Sequence, residues 1–310
     1  MTMRYVISID AGGTFFKSAI VSENAEVLSG TALTIPARSD ADAGSVREGY
    51  EKTLTSQLDN AQRLGIKISA VAVDTPGPFD YESGFSLMRH KFKAIYKTPL
   101  RPWIKAVIGD IPVTFIHDSA AFLTGEMWNS PYGEYRSAAG TMLGTGLGFA
   151  TMKDGRVLLA PDGSPLYSVW GQKLKPEDIS GCDISSDSII AEDVVSGRGI
   201  SKRYALLTGL EASAKDIEHL ANEGDEAAKK VYADTGRVLG RVTAPYLELI
   251  GAEVFILGGQ ISRAAPLFTD ELEKSLSAVT TLKKIIRSER LDTSHMLGAA
   301  YNCFSRLQCE

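Results

Sequence analysis

The sequence has 310 residues, of which 44% are hydrophobic, and a formal net charge of −5 at pH 7. A chain of about 300 residues buries roughly 75% of the surface that its unfolded form exposes, so this length allows two packed domains. The acidic composition provides no basic surface for DNA or RNA, and we expect no nucleic-acid partner.

The cysteine content and the N-terminal pattern bear on the compartment. The three cysteines, Cys182, Cys303 and Cys309, make no even-numbered disulfide framework and fit a reducing cytoplasm. The N-terminus leads directly into a strand-like segment without a cleavable signal pattern, and no apolar run approaches about 18 residues. We therefore expect a cytoplasmic protein that has no membrane partner.

Strand and helix patterns alternate in the first half of the chain. Apolar residues on one face predict a helix from Tyr50 to Leu64, and Gly65 suits its end. A second helix is predicted in SAAFLTGEM. The predicted strands of this half are Tyr5–Asp10, Lys17–Ser22, Glu26–Ile35, Ser69–Asp74 and Pro112–Asp118.

The second half repeats the hairpin pattern of the first. Ser137–Leu143, Gly148–Lys153 and Arg156–Ala160 resemble three strands, with a glycine-rich first turn and a KDG second turn. Helical patterns follow from about Asp187 to Ile250, then a strand in AEVFILGG and helices in PLFTDELEKSL and SHMLGAAYNCF. A strand-turn-strand unit used twice, with helices between, predicts an α/β fold. We place the boundary near Asp118–Ser130 and expect the two copies to face each other across a cleft.

Three glycine turns follow predicted strands, namely Gly12–Gly13–Thr14, Gly144–Thr145–Gly146 and Gly258–Gly259. Glycine lets backbone N–H groups approach phosphate oxygens, and the threonines add hydroxyl donors. One such turn alone is more often an ordinary hairpin, but three at matching places in a repeated unit favour phosphate binding. The chain has no Walker sequence, and Phe149 stands where a dinucleotide fingerprint from Gly144 would need glycine.

Two aspartates and a lysine near these turns are candidates for chemistry. Asp10 ends the first strand, where its carboxylate could hold Mg²⁺ through water or form an Asx turn. Lys17 could reach a phosphate or be a surface lysine. Asp118 has the position of a helix N-cap, but ligands in α/β folds also bind at this end of the strands. We take Asp118 as the candidate base that orients an attacking hydroxyl and takes its proton.

Five motifs in family order, together with one helical segment, resemble the ROK family (repressors, open reading frames, kinases) of the actin-like ATPase and sugar-kinase superfamily. DAGGTFFK and LGTGLGFATMKDGRVL are similar to its two phosphate loops, and VDTPGPFDYESG to its sugar-side loop. HDSAAFLTGE resembles the segment with the catalytic aspartate, and VFILGGQIS resembles the adenosine loop. ANEGDEAAKKVYADTGRVLGR is similar to the long C-terminal helix, so the likeness covers nearly the whole chain.

The resemblance implies a duplicated, two-lobed actin-like (ribonuclease H-like) α/β fold that transfers phosphate from ATP, with Mg²⁺, to a small sugar. It implies an N-terminal lobe of residues 1–117, completed by the C-terminal helix 292–310, and a C-terminal lobe of residues 118–291. Asp118 would be the catalytic base, and Pro76, Gly77 and His117 would contact the sugar together with Asp118. The candidate ATP contacts are Gly12, Gly13, Thr14, Lys17, Gly144, Thr145, Gly146, Gly258 and Gly259.

The chain departs from the family pattern at the sugar site. His117 replaces the usual asparagine before the catalytic aspartate, and APDGSPLYSVWGQKL lacks the family's Glu-x-Gly-His motif. Tyr167, Trp170 and Gln172 could line the sugar site instead or be ordinary packing residues. Cys182 stands alone where the family has a cysteine-rich zinc motif, and one cysteine cannot form a structural zinc site. We therefore expect no zinc.

The pattern leaves three functions to compare. The first is a hexokinase- or glucokinase-like enzyme that acts on a hexose or N-acetylhexosamine. The second is a catalytically degenerate protein that binds nucleotide or sugar. The third is a sugar-responsive regulator, which the acidic charge and the lack of an N-terminal helix-turn-helix disfavour. The expected partner is a small sugar, and a homodimer is an open alternative. The sequence does not name the sugar or decide between ATP and polyphosphate as donor.

Overall fold

The computed structural model of the protein describes residues 3–182, 184 and 189–307. These residues form two compact units, each with its own sheet and hydrophobic core. The first unit contains the described parts of Met1–Gly133, Leu159–Pro165 and Asp292–Glu310, and the second those of Glu134–Leu158 and Leu166–Leu291.

The strands of both units are short and mostly buried. In chain order they are β1 Tyr5–Ala11, β2 Phe15–Ser22, β3 Leu33–Pro36, β4 Ile68–Thr75, β5 Phe79–Asp80, β6 Phe85–Ser86, β7 Val113–His117, β8 Ala138–Leu143, β9 Leu147–Lys153, β10 Arg156–Val157, β11 Val254–Gly258 and β12 Lys284–Arg287.

The helices connect these strands and cover the sheets. They are α1 Ala43–Leu64, α2 Arg101–Ile108, α3 Asp118–Met127, α4 Glu192–Val195, α5 Gly197–Thr208, α6 Ala214–Glu223, α7 Glu226–Ile250, α8 Thr269–Leu276 and α9 Ser294–Leu307, with 3₁₀ segments at Lys93–Ile95 and Gln260–Leu267. Within the described part of the chain, no helix combines the length and the apolar character that crossing a membrane requires.

The ends of α1 follow directly from its sequence. The carboxylate of Asp42 accepts the backbone N–H of Ser45 at 2.9 Å, which satisfies one of the unpaired donors of the first turn. Gly65 ends the helix in the left-handed conformation, as predicted. Between these caps, Tyr50 and Leu54 are buried against the first sheet.

The first sheet has the strand order β3-β2-β1-β4-β7. The strands β1 and β2 form an antiparallel hairpin that β3 extends, while β4 and β7 run parallel to β1. Helices cover both faces of the central strands, which explains why β1 and β4 are almost continuously buried. On one face Ile7 and Ile9 pack in the core with Tyr50, and on the other Ser8 donates a hydrogen bond to the Met296 carbonyl at 2.8 Å.

The second sheet repeats this arrangement in the order β10-β9-β8-β11-β12. Again an antiparallel hairpin, here β8 and β9, is extended at its outer edge by a third strand, and two parallel strands continue from β8. The repeat confirms the prediction of one α/β unit used twice. It also supplies β12, which the sequence analysis did not predict.

The boundary between the units differs from the predicted lobe boundary after His117. Residues 118–133 belong to the first unit because α3 packs closely on α9. A Cβ on Gly125 would lie 1.9 Å from the Ser294 carbonyl oxygen, and one on Gly298 would lie 1.8 Å from the Ala121 carbonyl oxygen. The two helices therefore approach at glycine backbones, and α3 stays with the unit that contains α9. The segment Leu159–Pro165 also belongs to the first unit, which no sequence pattern indicated.

Other elements differ from their predicted bounds. The third strand of each hairpin is shorter than predicted, at Leu33–Pro36 and Arg156–Val157. The long helical stretch is divided into the four helices α4 to α7, since Gly209 and Gly224 end two of them in the left-handed conformation. The predicted start at Asp187 and the cysteine at 309 lie outside the described residues.

Candidate active site

Three carboxylates lie at the carboxyl ends of adjacent parallel strands in the first unit. Asp10 and Asp74 are the penultimate residues of β1 and β4, and they are paired in register across the sheet. Asp118 directly follows β7, in which Ile116 pairs with Asp74. Since paired residues on neighbouring strands project from the same face, the Asp10 and Asp74 side chains share one side of the sheet. Ligands of open α/β sheets bind beyond this end of the strands.

The carboxylate of Asp118 is held at the first turn of α3. Its Oδ1 accepts the backbone N–H of Ser119 at 2.6 Å and lies 2.9 Å from the Nδ1 of His117. The same Nδ1 also lies 3.1 Å from the Ser119 nitrogen. One ring nitrogen cannot accept from Ser119 and donate to Asp118 together, and the carboxylate is the stronger acceptor. We therefore assign the proton to Nδ1, which donates to Asp118.

This environment sets the charge of Asp118. Burial alone would raise the pKa of its carboxyl, but the charge and hydrogen bond of His117 act in the opposite direction. Together with the charge of His295 and the Ser119 N–H, they hold the pKa well below its usual range. The side chain is 25% exposed, so an ionised acceptor is open to a ligand.

The predicted sugar loop lies against His117. Gly77 follows Pro76 after β4. A Cβ placed on Gly77 would lie 3.5 Å from the Nε2 of His117 and 3.4 Å from the hydroxyl of Tyr81. The Tyr81 hydroxyl donates to a backbone carbonyl at 3.2 Å, and its ring centroid lies 5.8 Å from that of His117. The fold thus brings the Pro76–Gly77 loop beside the residue that contacts Asp118.

The segment Leu159–Pro165 adds residues that the sequence analysis missed. A Cβ on Gly163 would lie 3.0 Å from the Cβ of Tyr81, so this segment packs on the sugar-loop side of the site. The carboxylate of Asp162 accepts the backbone N–H and the hydroxyl of Ser164 at 3.0 and 2.6 Å. These bonds, with a smaller effect of the His117 charge, lower the pKa of Asp162. Asp162 is therefore an ionised acceptor within the electrostatic reach of His117.

The most buried of the three strand-end carboxylates is that of Asp74, whose side chain is 0% exposed. Among the described residues neither of its oxygens has a hydrogen-bond partner. The Nδ1 of His295, in the first turn of α9, lies 3.5 Å from Oδ1, which is long for a hydrogen bond. Burial first, and the charge of Asp10 second, raise the pKa of Asp74 to about 8, although His295 opposes this.

The sequence analysis gave no role to Asp74 or His295. The signal for Asp74 was available, because Asp74 ends an apolar strand just as Asp10 does. No sequence pattern pointed to His295, which reaches the sheet only through the packing of α9 on β1 and β4.

Asp10 and Lys17 lie opposite each other in the hairpin register of β1 and β2. Asp10 is half-buried, and its burial raises the pKa of its carboxyl against the charges of His295 and Lys17. The Lys17 ammonium lies 3.6 Å from the exposed carboxylate of Asp292. A dication fits this place, because the neighbouring carboxylates of Asp10 and Asp74 present hard oxygen ligands. Among the described residues the Asp74 carboxylate has no hydrogen bond.

The first glycine turn, Gly12–Gly13–Thr14, joins β1 to β2 as predicted. Two other segments of the first unit contact it. A Cβ on Gly13 would lie 3.2 Å from the Cδ of Lys91 and 3.7 Å from the Oγ of Ser39. Lys91 therefore adds a positive charge beside the turn, and the sequence analysis missed it because its basic neighbours form no motif.

In the second unit the two remaining glycine turns lie side by side. Gly144–Thr145–Gly146 joins β8 to β9, and Gly258–Gly259 ends β11, the parallel neighbour of β8. Gly259 has a φ of +78°, and a Cβ there would lie 2.4 Å from the carbonyl oxygen of Leu143. Glycine is therefore required at position 259, and it allows the two turns to meet at one end of the sheet.

Two charged side chains, absent from the sequence predictions, contact the second glycine turn. Glu192 accepts the backbone N–H of Leu147 at 2.9 Å, directly after the turn. Arg198 donates to the Thr145 carbonyl at 3.1 Å and to the Glu192 carboxylate at 2.8 Å. The Leu147 N–H beside the turn is thus already bonded to the Glu192 carboxylate, and the guanidinium of Arg198, whose side chain is 70% exposed, lies next to the turn.

The alternative sugar residues and the lone cysteine lie in the second unit. The ring of Tyr167 packs 5.3 Å from that of Tyr246, Trp170 is 55% exposed, and Gln172 is partly buried. Of these, Trp170 presents an open ring, while Tyr167 has a packing role. The sulfur of Cys182 lies 3.7 Å from a guanidinium nitrogen, and the absence of zinc stays a prediction.

Comparison with known proteins identifies the family. A model of the ROK family matches residues 6–303. The chain belongs to the ROK family. Its curated relatives include the N-acetyl-D-glucosamine kinase of Citrobacter koseri, 26% identical over 272 residues that cover 82% of this chain and 88% of the relative. The glucokinase of Thermotoga maritima is 25% identical, with 95% of this chain and 96% of the relative covered.

Solved structures of ROK proteins share the fold. The ROK hexokinase of Thermus thermophilus has a TM-score of 0.80 at 19% identity and covers 99% of this chain and 100% of its own. A ROK glucokinase of Streptomyces griseus, in complex with glucose and AMPPNP, has a TM-score of 0.74 at 20% identity and covers 97% and 99%. These matches confirm the predicted actin-like α/β fold.

Proposed function

We propose that this ROK protein transfers the γ-phosphoryl group of ATP to a hydroxyl group of a small sugar, with Asp118 as the general base. The observation that carries the proposal is the setting of the Asp118 carboxylate. It lies at the end of a parallel strand, its pKa is held below the usual range, and it is hydrogen-bonded to the residue that packs on the Pro76–Gly77 loop.

The proposed step needs little covalent chemistry from the protein. The sugar hydroxyl oxygen forms a bond to the γ-phosphorus, the bond from that phosphorus to the bridging oxygen of ADP breaks, and the hydroxyl proton passes to Asp118. A carboxylate that is ionised at neutral pH can accept this proton as the new bond forms. The Ser119 N–H and the Nδ1–H of His117 hold the acceptor in one orientation.

The sugar would bind between the Pro76–Gly77 loop and Asp118. His117 Nε2 and the hydroxyl of Tyr81 provide polar groups beside Gly77, and Asp162 adds an acceptor on the same side. These groups suit a ligand with several neighbouring hydroxyls. The names of the curated relatives, N-acetyl-D-glucosamine kinase and glucokinase, support a hexose or an N-acetylhexosamine.

The glycine turns of each unit are the candidate nucleotide contacts, and Asp10 would hold Mg²⁺ through water. Gly12–Gly13–Thr14 and Gly144–Thr145–Gly146 present backbone N–H groups after strands, and the Gly258–Gly259 turn lies beside the latter. When bound, Mg²⁺ would reduce the negative charge on the phosphates that the attacking oxygen must approach. The AMPPNP in the Streptomyces griseus structure supports ATP as donor.

The decisive experiment replaces Asp118 with asparagine. The assay couples ADP release to a panel of hexoses and N-acetylhexosamines, with polyphosphate tested in parallel as donor. Asp118→Asn should lower kcat by about 10²–10⁴-fold, the range for loss of a general base. The matched control is Asp110→Asn, since the Asp110 side chain is 96% exposed and belongs to the same unit. Near-normal turnover by a folded Asp118→Asn variant would show that Asp118 is not the general base.

The same panel separates the alternatives. ADP release that no sugar stimulates, with nucleotide or sugar binding retained, would identify a catalytically degenerate binding protein. Turnover with polyphosphate and none with ATP would identify polyphosphate as the phosphate donor and would leave the assignment of Asp118 as base unchanged.

A further inference from the structure

The side chains of Asp10, Asp74 and His295 converge at the carboxyl ends of β1 and β4. Each offers one ligand atom, and these three atoms all lie within 4.8 Å of one another. Ligand atoms lie about 2.0–2.3 Å from a first-row dication, and opposite ligands are then up to roughly 4.5 Å apart. Small side-chain rotations would therefore bring all three atoms onto one ion.

Asp74 points to a ligand independently of this clustering. A carboxylate that is fully buried costs several kcal/mol unless it is paired, bonded or bound to a metal. Among the described residues both Asp74 oxygens and the Nδ1 of His295 lack a hydrogen bond, and this Nδ1, which faces Asp74 Oδ1, lies 3.5 Å away from it. Facing ligand atoms without full hydrogen bonds, beside the Asp10 carboxylate, are the arrangement expected of a metal site.

The surrounding elements hold the backbone positions of these ligands, so that only side-chain rotations are needed. Asp74 belongs to a central strand that is hydrogen-bonded on both sides, to β1 and to β7. The hydroxyl of Ser8 on β1 binds the Met296 carbonyl, next to His295, and the ring of Phe122 lies 5.9 Å from the imidazole. The imidazole is 21% exposed, which leaves a path for an ion to enter.

We propose that Asp10, Asp74 and His295 form a binding site for a first-row transition-metal dication. An imidazole nitrogen with carboxylate oxygens suits Mn²⁺, Fe²⁺, Co²⁺ or Zn²⁺, whereas Mg²⁺ prefers oxygen ligands and keeps its waters. The site uses no residue of the cysteine segment around Cys182, and it needs neither ATP nor sugar. At this position the ion would give Asp74 a partner and hold the Asp10 side chain directly. The Mg²⁺ of the proposed kinase reaction would contact Asp10 through water instead.

The test uses Co²⁺ alone as the probe, without nucleotide or sugar, so that its result does not depend on the proposed kinase activity. We expect saturable binding of one Co²⁺ per chain, followed by its visible d–d absorption, with little displacement by Mg²⁺. His295→Gln and Asp74→Asn should each weaken binding by at least about 100-fold, because even outer partners of metal ligands contribute 10–100-fold. The control His219→Gln, an exposed histidine in the second unit, should bind as the unmodified protein does.

A second measurement does not rely on variants that could misfold. Pulsed electron paramagnetic resonance of Mn²⁺ bound to the unmodified protein should show coupling to an imidazole nitrogen. Absence of saturable Co²⁺ binding, or Mn²⁺ bound without nitrogen coupling, would overturn the site and leave Asp74 and His295 as a buried ion pair. Equal affinities of a folded His295→Gln variant and the unmodified protein would do the same.

Discussion

The contact between α3 and α9 gives a sharp prediction for Gly125→Ala. A Cβ at this position would lie 1.9 Å from the Ser294 carbonyl oxygen, whereas ordinary contacts begin at 3.4 Å, so the helices would have to separate by 1.5 Å (3.4 − 1.9). A radial gap of 0.5–1 Å already forfeits about a quarter to a half of a dispersion contact. The partner atom is backbone, which cannot rotate away.

The expected magnitude combines two opposing effects. Alanine is favoured over glycine in a helix by about 1 kcal/mol, which would stabilise the variant. Overpacking a close contact usually costs about 1–3 kcal/mol and occasionally more, and the overlap here is severe. We expect the clash to dominate and the free energy of unfolding to fall by about 2 kcal/mol or more. For a domain of this size this lowers Tm by roughly 4–8 °C.

Urea unfolding followed by circular dichroism measures this change, with Gly44→Ala as the matched control. Gly44 is also helical, but the closest atom to a Cβ there is the Asp42 Oδ1 at 3.0 Å, and a shift of a few tenths of an ångström relieves this contact. The control should remain within about 1 kcal/mol of the unmodified protein. If Gly125→Ala were as stable as the control, the close approach of α3 and α9 would be wrong, and with it the placement of residues 118–133 in the first unit.

Two further predictions concern buried charges. The pKa of Asp118 is depressed, so its ionised form is lost only as pH falls through that low value. The substitution His117→Asn removes the charge and the hydrogen bond that oppose the effect of burial on this pKa. The pKa of Asp118 should therefore rise, and the acid limb of kcat/KM should move to higher pH. An unchanged acid limb between about pH 4 and 8 would contradict this. In the second unit, Asp234 is 1% exposed and lies 2.9 Å from guanidinium nitrogens of both Arg203 and Arg237. Asp234→Asn should lower the free energy of unfolding by about 3–5 kcal/mol in urea titrations. A loss below about 1 kcal/mol would contradict the burial of Asp234 between the two arginines.

The sequence alone determined the repeated architecture and much of the candidate site. Strands and helices follow from local periodicity, and hairpin turns follow from glycine, so β1, β2, β8, β9 and the three glycine turns lie close to where they were predicted. Helix α1 ends at Leu64 as predicted but begins at Ala43, seven residues before Tyr50. The position of Asp118 between a strand and a helix was predicted for the same reason, because it is a local feature. These predictions depend on residues that are neighbours in the chain.

What only the tertiary structure decided depends on contacts between segments that are distant in sequence. His295 meets Asp74 because α9 packs on the sheet, and Leu159–Pro165 joins the first unit because Gly163 packs on Tyr81. The unit boundary is set by backbones that touch at Gly125 and Gly298, and Glu192 reaches the second glycine turn from a separate helix. Such contacts are selected by the packing of whole elements, and a local pattern does not record which distant residue fills the space beside it.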